Sequence, residues 1–170
     1  MSHTVHINPL RWFTDGEGGL EFVESFGTPV PADLLEEARA ASYPGVGEVL
    51  AVLRGEGLSA RCWFTLWVDG AEVVNPLPEQ PGGGEADHLG GLAVAVAGER
   101  KRIGVDEPAS GLTCRAPGAG AAERAVAALA EAFGPQVMWA GDIGEVVVVP
   151  PGWTAAQVRD RRVGCDMADS

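Results

Sequence analysis

Arg61–Val74, RCWFTLWVDGAEVV, decides the fold class. Two β-rich arms meet at Asp69-Gly70, the dipeptide favoured where both central residues of a tight hairpin turn take positive φ. Side chains alternate along an extended arm, so Cys62, Phe64, Leu66 and Val68 face one way and Trp63, Thr65 and Trp67 the other. Both sets hold large apolar groups. This predicts a strand covered on both sides or lying beneath a partner, with Trp63 and Trp67 anchoring the core under a helix.

Upstream, Thr4–Ile7 reads as a first strand stopped by Asn8-Pro9, and Leu20–Phe26 as a half-exposed apolar stretch. Pro31 and Asp33 open a helix whose Leu34, Leu35 and Ala38 form an apolar stripe, and Tyr43-Pro44-Gly45 lies beyond its end at Ser42. Glu48–Leu53 matches both the helical and the strand period. Downstream, 75–91 is a flexible Pro/Gly-rich loop centred on Gly82-Gly83-Gly84. Leu92–Ala97 alternates large residues with alanine, which predicts an inner strand with something packed closely on its alanine face.

Gly98–Arg102 forms a turn into a strand over Arg102–Asp106, and Gly111–Ala116 is another strand. Ala119–Phe133 is the clearest helix, with Ala122, Val126, Leu129 and Phe133 on one face and Gly134-Pro135 as its stop. Val137–Trp139 and Glu145–Val149 are strands, the second apolar throughout and expected to be central. Thr154 with Gln157 makes a capping box for a short helix to about Arg162. A polar C-terminal tail follows from about 163.

Together these elements predict a single α+β domain over 1–170, with a mainly antiparallel sheet of five to seven strands, or a mixed one, and two main helices, Pro31–Ser42 and Ala119–Phe133. A chain of 170 residues, 46% hydrophobic, buries such a core without metals or disulfides. No apolar run approaches the roughly 20 residues that span a bilayer. Met1–Leu10 has neither a basic leader nor an apolar segment, and Cys62, Cys114 and Cys165 are an odd set without metal spacing. A cytoplasmic protein is expected. One lysine against 11 arginines, with scarce isoleucine, suggests high-GC bacterial coding.

The net charge of −12 is unevenly spread. Residues 1–85 hold 13 acids and four arginines, whereas 86–170 hold 11 acids and eight bases. Asp15, Glu17, Glu21, Glu24, Asp33, Glu36 and Glu37 follow one another with no base between Arg11 and Arg39. Such a surface repels nucleic acid and anionic lipid and steers basic partners towards it.

Few residues combine into catalytic patterns. Gly118-Ala-Gly120 precedes the best helix, where a phosphate could meet free N–H groups, but Glu123 occupies the sixth position of the dinucleotide fingerprint and opposes phosphate. The ordinary reading is a small-residue turn. His3 and His6 point to opposite faces of a strand, which disfavours a metal pair with His88. The acid pairs Glu36 with Glu37 and Asp106 with Glu107 read as solvated, and Arg100-Lys101-Arg102 as an exposed turn. No cofactor, metal or catalytic group is therefore expected.

Trp12-Phe13 ahead of the acidic run reads as an exposed anchor ringed by carboxylates. The first functional expectation is an acidic, non-enzymatic protein-binding domain: an inhibitor or immunity-type protein covering a basic partner such as a toxin. Its contacts would be Trp12, Phe13, Asp15, Glu17, Glu21, Glu24, Asp33, Glu36 and Glu37. The competing expectation is a small-molecule-binding or enzymatic pocket under the 75–91 loop, around Trp63, Trp67, Asp87 and His88. A third is a subunit of a larger assembly, its two-faced strands buried against neighbours.

Overall fold

The computed structural model describes residues 3–16, 19–25, 29–96, 102–140 and 145–168, with side chains as far as 162. Its elements run β1 (Thr4–Pro9), α1 (Leu10–Asp15), α2 (Gly19–Glu24), α3 (Ala32–Ala40), α4 (Val46–Gly55), β2 (Ser59–Cys62), β3 (Thr65–Val68) and β4 (Ala71–Val73). A 3-10 turn over Glu85–Asp87 leads into β5 (His88–Ala95), then β6 (Arg102–Gly104), β7 (Gly111–Arg115), α5 (Ala121–Phe133), β8 (Gln136–Ala140), β9 (Glu145–Val149) and α6 (Ala155–Ala168).

The fold is α+β, as the patterning requires. Six strands form a mixed sheet in the order β2-β5-β7-β1-β8-β9, and three form a second sheet, β4-β3-β6. Antiparallel pairing dominates the larger sheet, with β2 parallel to β5. No helix among the described residues is long and apolar enough to cross a membrane.

The two faces of the large sheet are covered differently. Val5, Ile7, Leu92, Val94, Leu112, Cys114, Met138, Val147 and Val149 share one face and pack with α4, α5 and α6 in the main core. Val137 and Val146 face the other way, into a smaller core with Leu10, Phe13, Val23, Val30 and Ala38 from α1–α3 and their connections. That second layer covers only the β8–β9 end. Towards β5, Ala93 and Thr113 are half-exposed and Ala95 is exposed, so the predicted close packing on the alanine face is absent.

Several other expectations change. The Asp69-Gly70 hairpin forms with both φ angles positive, 49° and 82°. Its first arm is not one strand: it bends at Trp63-Phe64, so β2 joins the large sheet and β3 the small one. The alternation still holds, because Phe64 and Leu66 are buried while Trp63 and Trp67 are 46% and 38% exposed. Neither tryptophan anchors the core under a helix. Arg115 lies 5.6 Å over the Trp63 ring and Arg102 lies 4.9 Å over Trp67, so cations cap these rings.

Glu48–Leu53 is helical, within α4, and Leu20–Phe26 begins as α2. The turn at Gly98–Arg102, including Arg100 and Lys101, lies mostly outside the described residues. The 75–91 loop is pinned by Leu77 and Leu89, both fully buried, and its last residues belong to β5. α6 continues to Ala168, past the expected helix end at about Arg162.

β9 is an edge strand, not a central one. Layers above and below bury it, which a central position would also do, so its apolar sequence could not distinguish the two. Glu145 at its start is nonetheless buried, and so is Glu123 on α5. Arg162 of α6 donates to both carboxylates and thereby ties α6 to α5 and β9. Replacing Arg162 with Met should leave two acids enclosed without a cation and lower stability by about 3 kcal/mol, read from the urea midpoint. Adding Glu123→Gln and Glu145→Gln to that variant should recover part of the loss. A single variant as stable as the parent would show that the triad does not hold α6.

Candidate functional site

The acidic run lies on three short helices that pack on one another, α1 against both α2 and α3. The helices form because Leu10, Phe13, Val23 and Ala38 need burial on the sheet. Their outward sides are then left to the charged residues. Asp15, Glu21, Glu24, Asp33, Glu36 and Glu37 are all exposed, and Trp12 is 42% exposed among them. Glu17 lies outside the described residues.

Phe13 does not fit the expected anchor. It is buried, meets Trp12 edge-on with ring centroids 5.0 Å apart and stacks with Phe22 at 6.2 Å. Adjacent helical residues point about 100° apart, so Trp12 and Phe13 could not both face solvent once one entered the core. The acidic surface is also less bare than the sequence suggested. Arg11 pairs with Asp15 at 3.3 Å and lies 5.2 Å over the Tyr43 ring. The Tyr43 hydroxyl donates to Asp15 at 2.8 Å, and partial burial together with that carboxylate pushes the phenol up to about 12.

A separate open cleft of about 480 Å³ lies beside the 75–91 loop, between Gly57, Ser59, Glu79, Gln80, Glu85, Asp87, His88 and Gly118. Of the four residues assigned to a pocket here, Asp87 and His88 line it, whereas Trp63 and Trp67 do not. The bend at Trp63-Phe64 takes those indoles elsewhere. Glu79 and Glu85 were missed as cleft residues, although their place in the loop was a usable signal. Gly118 was read only as part of a helix-leading turn, yet a Cβ there would overlap the Glu85 carbonyl. The turn must therefore be glycine for the loop to close on it.

Asp87 is held by backbone and cation together. Its Oδ2 accepts from Gly84 N–H at 3.1 Å and its Oδ1 from Arg124. The Gly84 N–H first, and Arg124 second, hold its carboxyl below the usual aspartate range. His88 Nδ1 accepts from Gly90 N–H at 2.9 Å, which puts the proton of the neutral ring on Nε2. That nitrogen lies 3.9 Å from a Glu79 carboxylate oxygen. The cleft can accept hydrogen bonds at its carboxylates and donate one from His88. Ser59 is buried, its hydroxyl turned to the Asp87 carbonyl at 3.4 Å.

His6 is committed to the sheet, with Nδ1 3.0 Å from Thr113 Oγ1 and its ring stacked 4.2 Å from Trp139. Among the described residues no group of three or more His, Cys, Asp or Glu is placed to hold a metal ion. Cys114 is fully enclosed, which pushes its thiol up to about 12, and burial also raises Cys62. Both act as small hydrophobes. Glu107 accepts from Gly104 N–H, so the Asp106–Glu107 pair is partly structural. No protein-family model, curated protein or solved structure matches the chain.

Because Asp87 titrates lower folded than unfolded, its contribution to stability is present above the unfolded pKa and disappears as pH falls through the folded one. Arg124→Met should move the Asp87 titration upwards, followed by carboxyl-carbon NMR, while the Gly84 N–H keeps it below a free aspartate. An unchanged midpoint would remove Arg124 from the account.

Proposed function

We propose that the chain is an acidic protein-binding domain whose α1–α3 surface covers a basic partner, in the manner of an inhibitor or of an immunity protein that neutralises a toxin in a bacterial cytoplasm. The observation that carries this reading is the grouping of Asp15, Glu21, Glu24, Asp33, Glu36 and Glu37, all exposed, on mutually packed helices around exposed Trp12. Carboxylates there would steer a cationic partner into place, and Trp12 would supply the large rigid contact typical of binding hot spots. Phe13 supports the surface from beneath by burying α1.

The cleft beside the 75–91 loop favours a second reading, a small-molecule-binding or enzymatic domain. A defined concavity with a tautomer-fixed histidine and nearby carboxylates supports it. The first reading is preferred because the acidic surface involves more residues and accounts for the skewed charge.

Capture from an extract of the source cell, at low and at high salt, tests the preferred reading. A basic protein should be retained at low salt and released at high salt; recovery of none under either condition would sink it. Changing Glu24, Glu36 and Glu37 together to Gln should slow association about tenfold and flatten its salt dependence. Thermal stability should hold, because these side chains are exposed. Glu21 and Asp33 are left in place, since they complement the positive ends of α2 and α3. Trp12→Ala should instead act mainly on dissociation.

A further inference from the structure

The part of the sheet's second face that α1–α3 leave uncovered carries an ordered set of side chains. Arg61 of β2 is in register with Gly91 of β5, and Gly91 with Arg115 of β7. These three residues therefore form one row and share a face. Cys62 and Leu92, one step along, point into the main core, which confirms that the row points outward. The two arginine Cα atoms lie two strand spacings apart, roughly 10 Å, within reach of a common ligand for side chains of that length.

Gly91 lets Trp63 lie down in this row. A Cβ at Gly91 would fall 2.6 Å from the indole ring, so only glycine lets the ring rest on the strand. Arg115 then stacks over the indole, while Arg61 is exposed beside it; neither arginine has a carboxylate partner among the described residues. In a protein of net charge −12, one arginine over this ring and a second beside it form a local exception.

The next row is Ala93, Thr113, His6 and Trp139. Ala93 and Thr113 give a low floor, and the stacked His6–Trp139 pair gives the far wall. Asn8 fixes that wall by accepting from Trp139 Nε1 at 2.9 Å while donating to the Ser110 carbonyl at 2.8 Å. Phe22 buttresses Trp139 from the helical side, edge-on at 5.7 Å. Ala93 and Thr113 thus form a shallow trough between the Trp63 indole and the His6 ring, which Trp139 backs, with Arg115 over Trp63 and Arg61 beside it.

We infer that this trough binds a small planar ring bearing a carboxylate. The ring lies over Ala93 and Thr113 between Trp63 and the His6 ring that Trp139 backs, and the carboxylate meets Arg115 and Arg61, whose forked donors match its two oxygens. In a chain of net charge −12 a singly charged carboxylate meets less long-range repulsion than a phosphate dianion, and the titration below compares the two. The site is separate from the acidic α1–α3 surface and from the cleft at His88.

Titration of the full chain with 1-naphthoate, followed by the indole N–H signals of Trp63 and Trp139 in NMR spectra, tests the assignment. Saturable shifts of both signals are expected. Arg115→Ala and Arg61→Ala should each weaken binding about tenfold. Arg115→Lys should restore only part of it, because an ammonium lacks the fork. Ala93→Leu should block the floor while leaving circular dichroism unchanged. Absence of saturation, equal binding of neutral naphthalene-methanol, tighter binding of adenosine monophosphate, or arginine variants that bind as the parent does would each overturn the assignment.

Discussion

A sheet buried on one face only must still satisfy its other face, and in this chain the helices suffice for one face and part of the second. α4, α5 and α6 bury a continuous apolar layer from β5 to β9. The short helices α1–α3 reach only the β8–β9 end of the opposite side. This shortage shapes the surface of the molecule. Where the second layer sits, its outward side carries the acidic residues; where it is missing, β5 and β7 present Gly91, Ala93 and Thr113, with the Trp63 ring lying on Gly91. Exposed apolar patches are avoided by reducing side-chain size instead of by adding a helix.

The boundary between covered and open regions falls on β1. Ile7 enters the main core, while His6 and Asn8 face the second side and are both occupied by hydrogen bonds. Asn8 is buried, and its amide nitrogen and oxygen each have a partner, bridging the start of β7 through Ser110 and β8 through Trp139. Gly111 makes room for it, since a Cβ there would collide with the amide. A buried amide that bonds two strands at once favours a single arrangement of its neighbours. The proposed trough inherits that rigidity on its Trp139 side.

What could be read in the sequence was what depends on neighbours in the chain. Asp69-Gly70 gave the hairpin because its dihedral requirement is local, and the apolar stripe of Ala122, Val126 and Leu129 gave α5 because 3.6-residue periodicity is local. Alternation likewise oriented Trp63 and Trp67 correctly relative to Phe64 and Leu66. It could not report whether the outward side was covered, which depends on a layer supplied by α1–α3. The row of Arg61, Gly91 and Arg115 was invisible for the same reason: 54 positions separate its ends, and only strand register aligns them. Glu123 was judged against a phosphate when its partner was Arg162, 39 residues away. The acidic surface was legible as composition, whereas the burial of Phe13 and the contacts of Arg11 and Tyr43 with Asp15 required the fold.

The edge position of β9 bears on how the chain avoids self-association. Four consecutive valines at the outer edge of the sheet, with no neighbouring strand on that side among the described residues, are a template for strand addition by another molecule. Glu145 and Pro150 bracket that stretch, one a charge and the other unable to donate to a ladder. Packing of α6 adds a third safeguard, and it is conditional. Until α6 docks through Arg162, the valine rim and two unpaired acids are exposed together. A chain with α6 undocked would therefore be less stable and also more adhesive, so the Arg162 ion triad would set aggregation propensity as much as equilibrium stability.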